Sequence, residues 1–177
     1  MKKLAAFFAC LLLLSGPAWV QAQVPGASLS LGPEKLAKAK GQAIRVKVPG
    51  MDKVQVASMA YAPDRGLEVY YPEGYDFSHP EGFVILFNGI ADEEQVVADD
   101  GAPFKDLGMT VSWAMAIAAS GLPAVTYDSF EPAQAAHSPP ASTAKVLAYL
   151  RDRAGVLGLD PGRIGFFVLG HVARNLQ

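Results

Sequence analysis

The sequence predicts an α/β fold: a mostly parallel sheet flanked by helices, with an antiparallel hairpin at the sheet edge. Short apolar runs recur between glycine, proline and aspartate, namely "GFVILFNG", "PAVTYD" and "IGFFVLG". Their near-continuous hydrophobicity is that of strands buried on both faces. Between them lie segments of helical composition, "SWAMAIAAS" and "SPPASTAKVLAYLRDRAGVLG". Strands alternating with helices in this way build a parallel sheet covered by helices. The whole composition agrees, since 51% hydrophobic residues and a net charge of −2 over 177 residues suit one globular domain. No basic run exceeds a dipeptide, which argues against nucleic acid as a partner.

The N-terminus has a separate purpose. Lys2 and Lys3 precede the apolar run "LAAFFACLLLL", Ser15, Gly16 and Pro17 break it, and Val20 and Ala22 place small residues at its end. These are the parts of a secretory signal peptide, with cleavage expected after Ala22 and an exported, periplasmic or secreted product of a bacterial type. The alternative is an uncleaved anchor, for which the run is short, so no permanent membrane span is expected after cleavage. Cys10, the one cysteine, lies inside the run. The mature chain then has no disulfide, no thiol chemistry and no cysteine-based zinc site.

The organisation expected is a leader over 1–22, an N-terminal linker segment over 23–50 and a folded domain over 51–177. Within the linker, "PEKLAKAKG" suits a short helix and "AIRVKV" alternates like a strand. "VQVASMAYA" and "LEVYYPEG", joined by the turn "PDRG", give the hairpin. "GFVILFNG" is the next strand. "SWAMAIAAS" is a helix ended by Gly121, with Pro123 just beyond, and leads to the strand "PAVTYD". The long helix starts at Ser142 or Thr143 and carries Val146, Leu147 and Leu150 at core spacing. "DPGR" reads as a turn before the last strand.

Three segments resemble the α/β-hydrolase superfamily, in particular exported bacterial esterases similar to dienelactone hydrolases. They are "FVILFNGIAD", "WAMAIAASGLPAVTYD" and "AKVLAYLRDRAGVLGLDPGRIGFF". The resemblance covers the N-terminal portion of such an enzyme and implies an incomplete α/β-hydrolase fold. It implies an oxyanion loop at Asn88 and Gly89, then a nucleophile elbow of the form G-x-S-x-G after the last strand. An acid and a histidine would follow, the histidine as general base and the acid orienting it.

The sequence departs from that pattern at the elbow, which reads "LGHVARN". Gly170 and His171 are followed by Val172 where serine is required, and Arg174 stands where the second glycine would be. A second alignment puts Gly170 itself at the nucleophile position. Neither supplies a nucleophile, because no serine, threonine or cysteine occurs after Thr143. The expectation is therefore a truncated or degenerate hydrolase-like protein, inactive as this chain, with a frame disruption near Phe167 as one origin. The alternative is a secreted, non-catalytic binding protein on the same scaffold. A small ester or acyl substrate is expected only of an intact homologue, and the resemblance implies no cofactor.

Other candidates carry bland readings beside functional ones. His171 reads as a scaffold residue, and His79 and His137 as solvated loop residues. Asp128 closes a buried strand, where it binds a ligand or caps the following turn, the latter being simpler. Asn88 and Gly89 form an oxyanion loop or a plain strand-ending turn. Asp92, Glu93, Glu94, Asp99 and Asp100 match no metal-ligand spacing and read as a solvated stretch, so no metal is expected. Tyr61, Tyr70, Tyr71 and Trp113 read as packing residues. The last strand, "IGFFVL", is expected to present an apolar edge open to self-association or a partner chain, and to leave the monomer marginal.

Overall fold

A computed structural model of the protein describes residues 27–31, 46–88, 102–129 and 141–169. These form a six-stranded sheet in the order β1-β2-β3-β5-β4-β6. The strands are β1 Ser28–Leu31, β2 Gln55–Ala62, β3 Arg65–Tyr71, β4 Glu81–Asn88, β5 Ala124–Tyr127 and β6 Leu159–Leu169. The helices are α1 Gly108–Ala119, α2 Ala141–Asp152 and the single turn α3 Ala154–Leu157. Strands β2, β4, β5 and β6 point one way, while β1 and β3 oppose them. The class is α/β: the hairpin leads into a sheet whose parallel strands alternate with helices.

Strand alternation divides the core in two. Leu67, Val69 and Tyr71 of β3, Phe83 and Ile85 of β4, and Val125 and Tyr127 of β5 bury one face with Val146 and Leu150 of α2. Tyr70, Leu86 and Ala124 bury the other with α1. In α1, Val111, Ala114, Met115 and Ala118 are fully buried, and their i, i+3, i+4, i+7 spacing forms one helical stripe. The expected leader and the helix expected for "PEKLAKAKG" fall outside the described residues.

Several expectations change. Part of the linker, Ser28–Leu31, is a strand paired antiparallel to β2, so the β2–β3 hairpin lies one strand in from the edge. Residues 46–48 of the alternating stretch form no strand, because alternation without a partner strand does not make a sheet. The long helix breaks at Arg153 into α2 and α3, ended by Gly158 in the left-handed conformation at φ 64°.

"DPGR" does turn locally. Asp160 Oδ1 accepts the Gly162 N–H at 2.9 Å, and Oδ2 pairs with Arg163 Nε at 2.6 Å. The ladder with β4 nevertheless continues around it, from Glu81↔Leu159 to Phe83↔Ile164, so the turn is a bulge inside β6. Nor is β6 buried on both faces, since Phe166 is 55% and Val168 60% exposed.

Gly158 joins the helical layer to the loop after β3. Its carbonyl accepts the Tyr75 hydroxyl, and a Cβ there would sit 3.0 Å from Phe77 Cα. Gly158→Ala combines left-handed strain with overpacking and is expected to cost roughly 2 kcal/mol in urea denaturation.

In the same loop, Asp76 Oδ1 accepts the Ser78 hydroxyl at 2.6 Å and the Ser78 N–H at 2.9 Å. Its Oδ2 meets His79 Nδ1 at 2.7 Å. The Ser78 hydroxyl foremost, then the Ser78 N–H and His79, lower the Asp76 carboxyl to about 2. A depressed folded pKa means that this contribution is present above the usual carboxylate range and is lost as pH falls toward about 2. An NMR titration is expected to show that midpoint, and Ser78→Ala to raise it.

Candidate functional site

Strand register gathers the candidate residues at the carboxyl end of the sheet, where α/β folds place ligands. Asn88 ends β4 directly beside Leu169, which ends β6. On its other side β4 pairs Val84↔Ala124 and Ile85↔Val125, and continuing that register brings Asn88 level with Asp128. The exits toward Gly89, toward the residues after Asp128 and toward Gly170 therefore open side by side. Gly89, Gly170, His171, Val172, Arg174 and His137 lie outside the described residues, as do Asp92, Glu93, Glu94, Asp99 and Asp100.

Asp128 is buried and held from several directions. Its Oδ2 accepts the Gly66 N–H at 2.8 Å, and its own N–H donates to the Gly66 carbonyl at 2.9 Å. Its carbonyl accepts the Tyr61 hydroxyl, while Tyr61 packs edge-on against Tyr127 at 6.3 Å. A side chain at position 66 would put Cβ 3.1 Å from Asp128 Oδ2, so glycine there leaves the carboxylate its place. These contacts pin the end of β5 to β2 and β3.

The sequence reading missed the cation beside it. Lys105, in the 3₁₀ turn Phe104–Asp106 that precedes α1, places Nζ 2.7 Å from Asp106 Oδ2 and 3.7 Å from Asp128 Oδ1. Burial alone would lower the Lys105 pKa. The Asp106 hydrogen bond and the charges of Asp128, Asp106 and Glu68 outweigh burial and raise it above the ordinary 10.5. Glu68 itself is buried on the α1 face of β3 and accepts the Tyr70 hydroxyl at 2.9 Å and Ser58 Oγ at 3.4 Å. Burial and the Glu68 charge hold the Tyr70 phenol well above its ordinary value, so it stays a neutral donor.

Nothing in the sequence marks this cluster. "FKDLG" reads as a surface turn, and Glu68 alternates with Leu67 and Val69 as a solvent-facing residue would. What the cluster does is positional: it ties the segment entering α1 to the ends of β3 and β5. His79 is exposed in its loop, whereas Tyr70 and Tyr71 are buried and Trp113 stacks on Phe167 at 5.3 Å, as packing residues do. Among the described residues, no group of three or more His, Cys, Asp or Glu is placed to hold a metal ion. No described helix is long and apolar enough to cross a membrane.

No protein-family model and no curated protein sequence matches the chain. Solved structures similar to it include esterase 2 of Thermogutta terrifontis phosphonylated by sarin, with 17% identity and a TM-score of 0.48 over 71% of this chain and 43% of that one. An ester-hydrolase from the metagenome of Lake Arreo, in complex with a bipyridine phosphonate derivative, gives 16% identity and a TM-score of 0.48 over 77% of this chain and 40% of that one. An α/β-hydrolase enzyme from a Medee basin deep-sea metagenome library gives 15% identity and a TM-score of 0.41, over 64% of this chain and 46% of that one. The chain thus spans less than half the length of each of these proteins.

Proposed function

We propose that this chain is an exported, degenerate relative of serine carboxylic-ester hydrolases of the dienelactone-hydrolase type, keeping the scaffold of the site but not its serine nucleophile. The observation that carries this reading is the pairing Asn88↔Leu169. It sets the strand ending at the oxyanion candidate directly beside the strand leading into the elbow, the juxtaposition acyl transfer needs between oxyanion donors and nucleophile. The residues that follow Leu169 are Gly170, His171 and Val172, none of which carries the hydroxyl that an elbow serine supplies. A donor loop without a nucleophile binds weakly and turns nothing over. An ester or acyl substrate belongs to an intact homologue.

The test is turnover of p-nitrophenyl acetate by the purified protein against a heat-killed control. No difference is expected, and activity above the control overturns the reading. Sequencing the gene past codon 177 separates the two origins. A G-x-S-x-G elbow, an acid and a histidine in another frame would mark a disrupted esterase gene, and their absence a degenerate one.

A second reading, a secreted non-catalytic interaction protein, is favoured by the exposure of Phe166 and Val168 on β6.

A further inference from the structure

The loop between β3 and β4 carries a second cluster of reactive side chains, at the end of the sheet opposite Asn88, Asp128 and Leu169. It reads Asp-Phe-Ser-His over 76–79. Its backbone is anchored: Phe77 packs on Tyr71 at 4.9 Å and edge-on against Tyr75 at 5.1 Å. The His79 N–H donates to the Asp76 carbonyl at 3.2 Å. The side chains of Asp76 and His79 nevertheless face water, 60% and 82% exposed.

Proton accounting sets the state of the His79 ring. The single hydroxyl proton of Ser78 goes to Asp76 Oδ1, at 2.6 Å. The Ser78 oxygen therefore meets His79 Nδ1, at 3.0 Å, as an acceptor. Asp76 Oδ2 lies 2.7 Å from the same nitrogen, and as an ionised carboxylate it has no proton to give. Both contacts require a hydrogen on Nδ1. A ring protonated on Nε2 alone would turn its lone pair toward two oxygens that offer none. In the neutral ring, Nε2 is then the lone-pair nitrogen.

We infer that this loop is a covalent modification site, an acyl acceptor whose nucleophile is His79 Nε2 and whose positioning residue is Asp76. The reacting partner is an activated carboxyl compound of the anhydride or dicarbonate class. The Nε2 lone pair bonds to the carbonyl carbon, and the bond to the leaving group breaks with its electron pair. The Nδ1 proton then passes to the departing group by way of water, leaving an N-acylimidazole. As positive charge grows on the ring, the Asp76 carboxylate across Nδ1–H stabilises it and holds the ring in place. The packing of Phe77 fixes the backbone between the two partners, so the exposed pair starts from one geometry. One acyl group is accepted at His79, and the inference is independent of the catalytic reading.

Nitrogen-15 NMR of the wild-type protein at mildly alkaline pH, where imidazole is neutral, reads the tautomer. His79 should show a protonated Nδ1 and an unprotonated Nε2, the reverse of an unconstrained imidazole in water. Asp76→Ala should restore the solvent preference, whereas Ser78→Ala, which leaves Asp76 in place, should not. Labelling with diethyl pyrocarbonate, followed by peptide mass mapping, reads the acyl transfer. The ethoxycarbonyl group goes to His79, with carbon dioxide and ethanol released. Asp76→Ala should slow labelling of His79 roughly threefold, the scale of an exposed charge contact. Ser78→Ala should slow it less. Circular dichroism checks that the variants stay folded, and the wild-type tautomer decides without any variant. A neutral His79 ring protonated on Nε2, no label at His79, or a labelling rate indifferent to Asp76→Ala would each overturn the inference.

Discussion

Lys105→Met is expected to destabilise the protein by roughly 3 kcal/mol, because it removes the cation from a largely buried charge cluster. Methionine keeps the packing of the lysine stem and removes the charge alone. The variant leaves Asp106 and Asp128 without the ammonium that stands 2.7 Å and 3.7 Å from them. Both Asp128 and the Lys105 side chain are largely shielded from water, so solvent compensates little. The sign with pH follows from the raised Lys105 pKa. Its contribution is fully present below the ordinary value of 10.5 and is lost only as pH climbs through the higher folded value. The gap between wild type and variant in urea melts should therefore persist from neutral pH upward and close only in strong alkali. Adding Asp128→Asn should cost less than the sum of the single changes, since both act on one network.

Leu150→Ala should cost about 3 kcal/mol, within the range for truncating a buried leucine. Leu150 is 1% exposed and sits with Val146 in the cluster that joins α2 to β3, β4 and β5. A cavity there loosens the helix that packs on this face of the sheet. Leu147, only partly buried against the same cluster, should cost clearly less when truncated, and comparing the two by chemical denaturation checks which stripe of α2 faces inward.

The contrast between these two residues shows what the sequence makes legible. Leu150 announces itself, because Val146, Leu147 and Leu150 repeat at helical spacing and only a core can use such a stripe. Lys105 does not. Its partners lie at sequence separations no periodicity reports, and a lysine next to an aspartate reads as solvated surface. The same holds for Glu68, whose alternation with Leu67 and Val69 is that of an outward residue until the turn before α1 covers that face. Strand β1 escaped for a related reason: four residues in a Gly- and Pro-containing stretch carry too little pattern, and only β2 makes them a strand. The bulge in β6 is legible locally, since Asp160, Gly162 and Arg163 do form a turn, but only the β4 ladder shows that the strand continues through it. Of the site, the strand ends Asn88, Asp128 and Leu169 follow from motif order. The brace of Gly66, Tyr61 and Lys105 around Asp128 is a tertiary fact with no sequence signature.

On the function proposed above, the strand ends Asn88 and Leu169 stand side by side without a serine nucleophile. Intact-mass analysis after incubation with a fluorophosphonate, which forms a covalent ester with activated serine hydroxyls, tests this most directly. The protein mass should be unchanged after prolonged exposure, while an active serine esterase in the same tube is fully labelled. A single stoichiometric adduct on the folded protein, lost on heat denaturation before labelling, would contradict it.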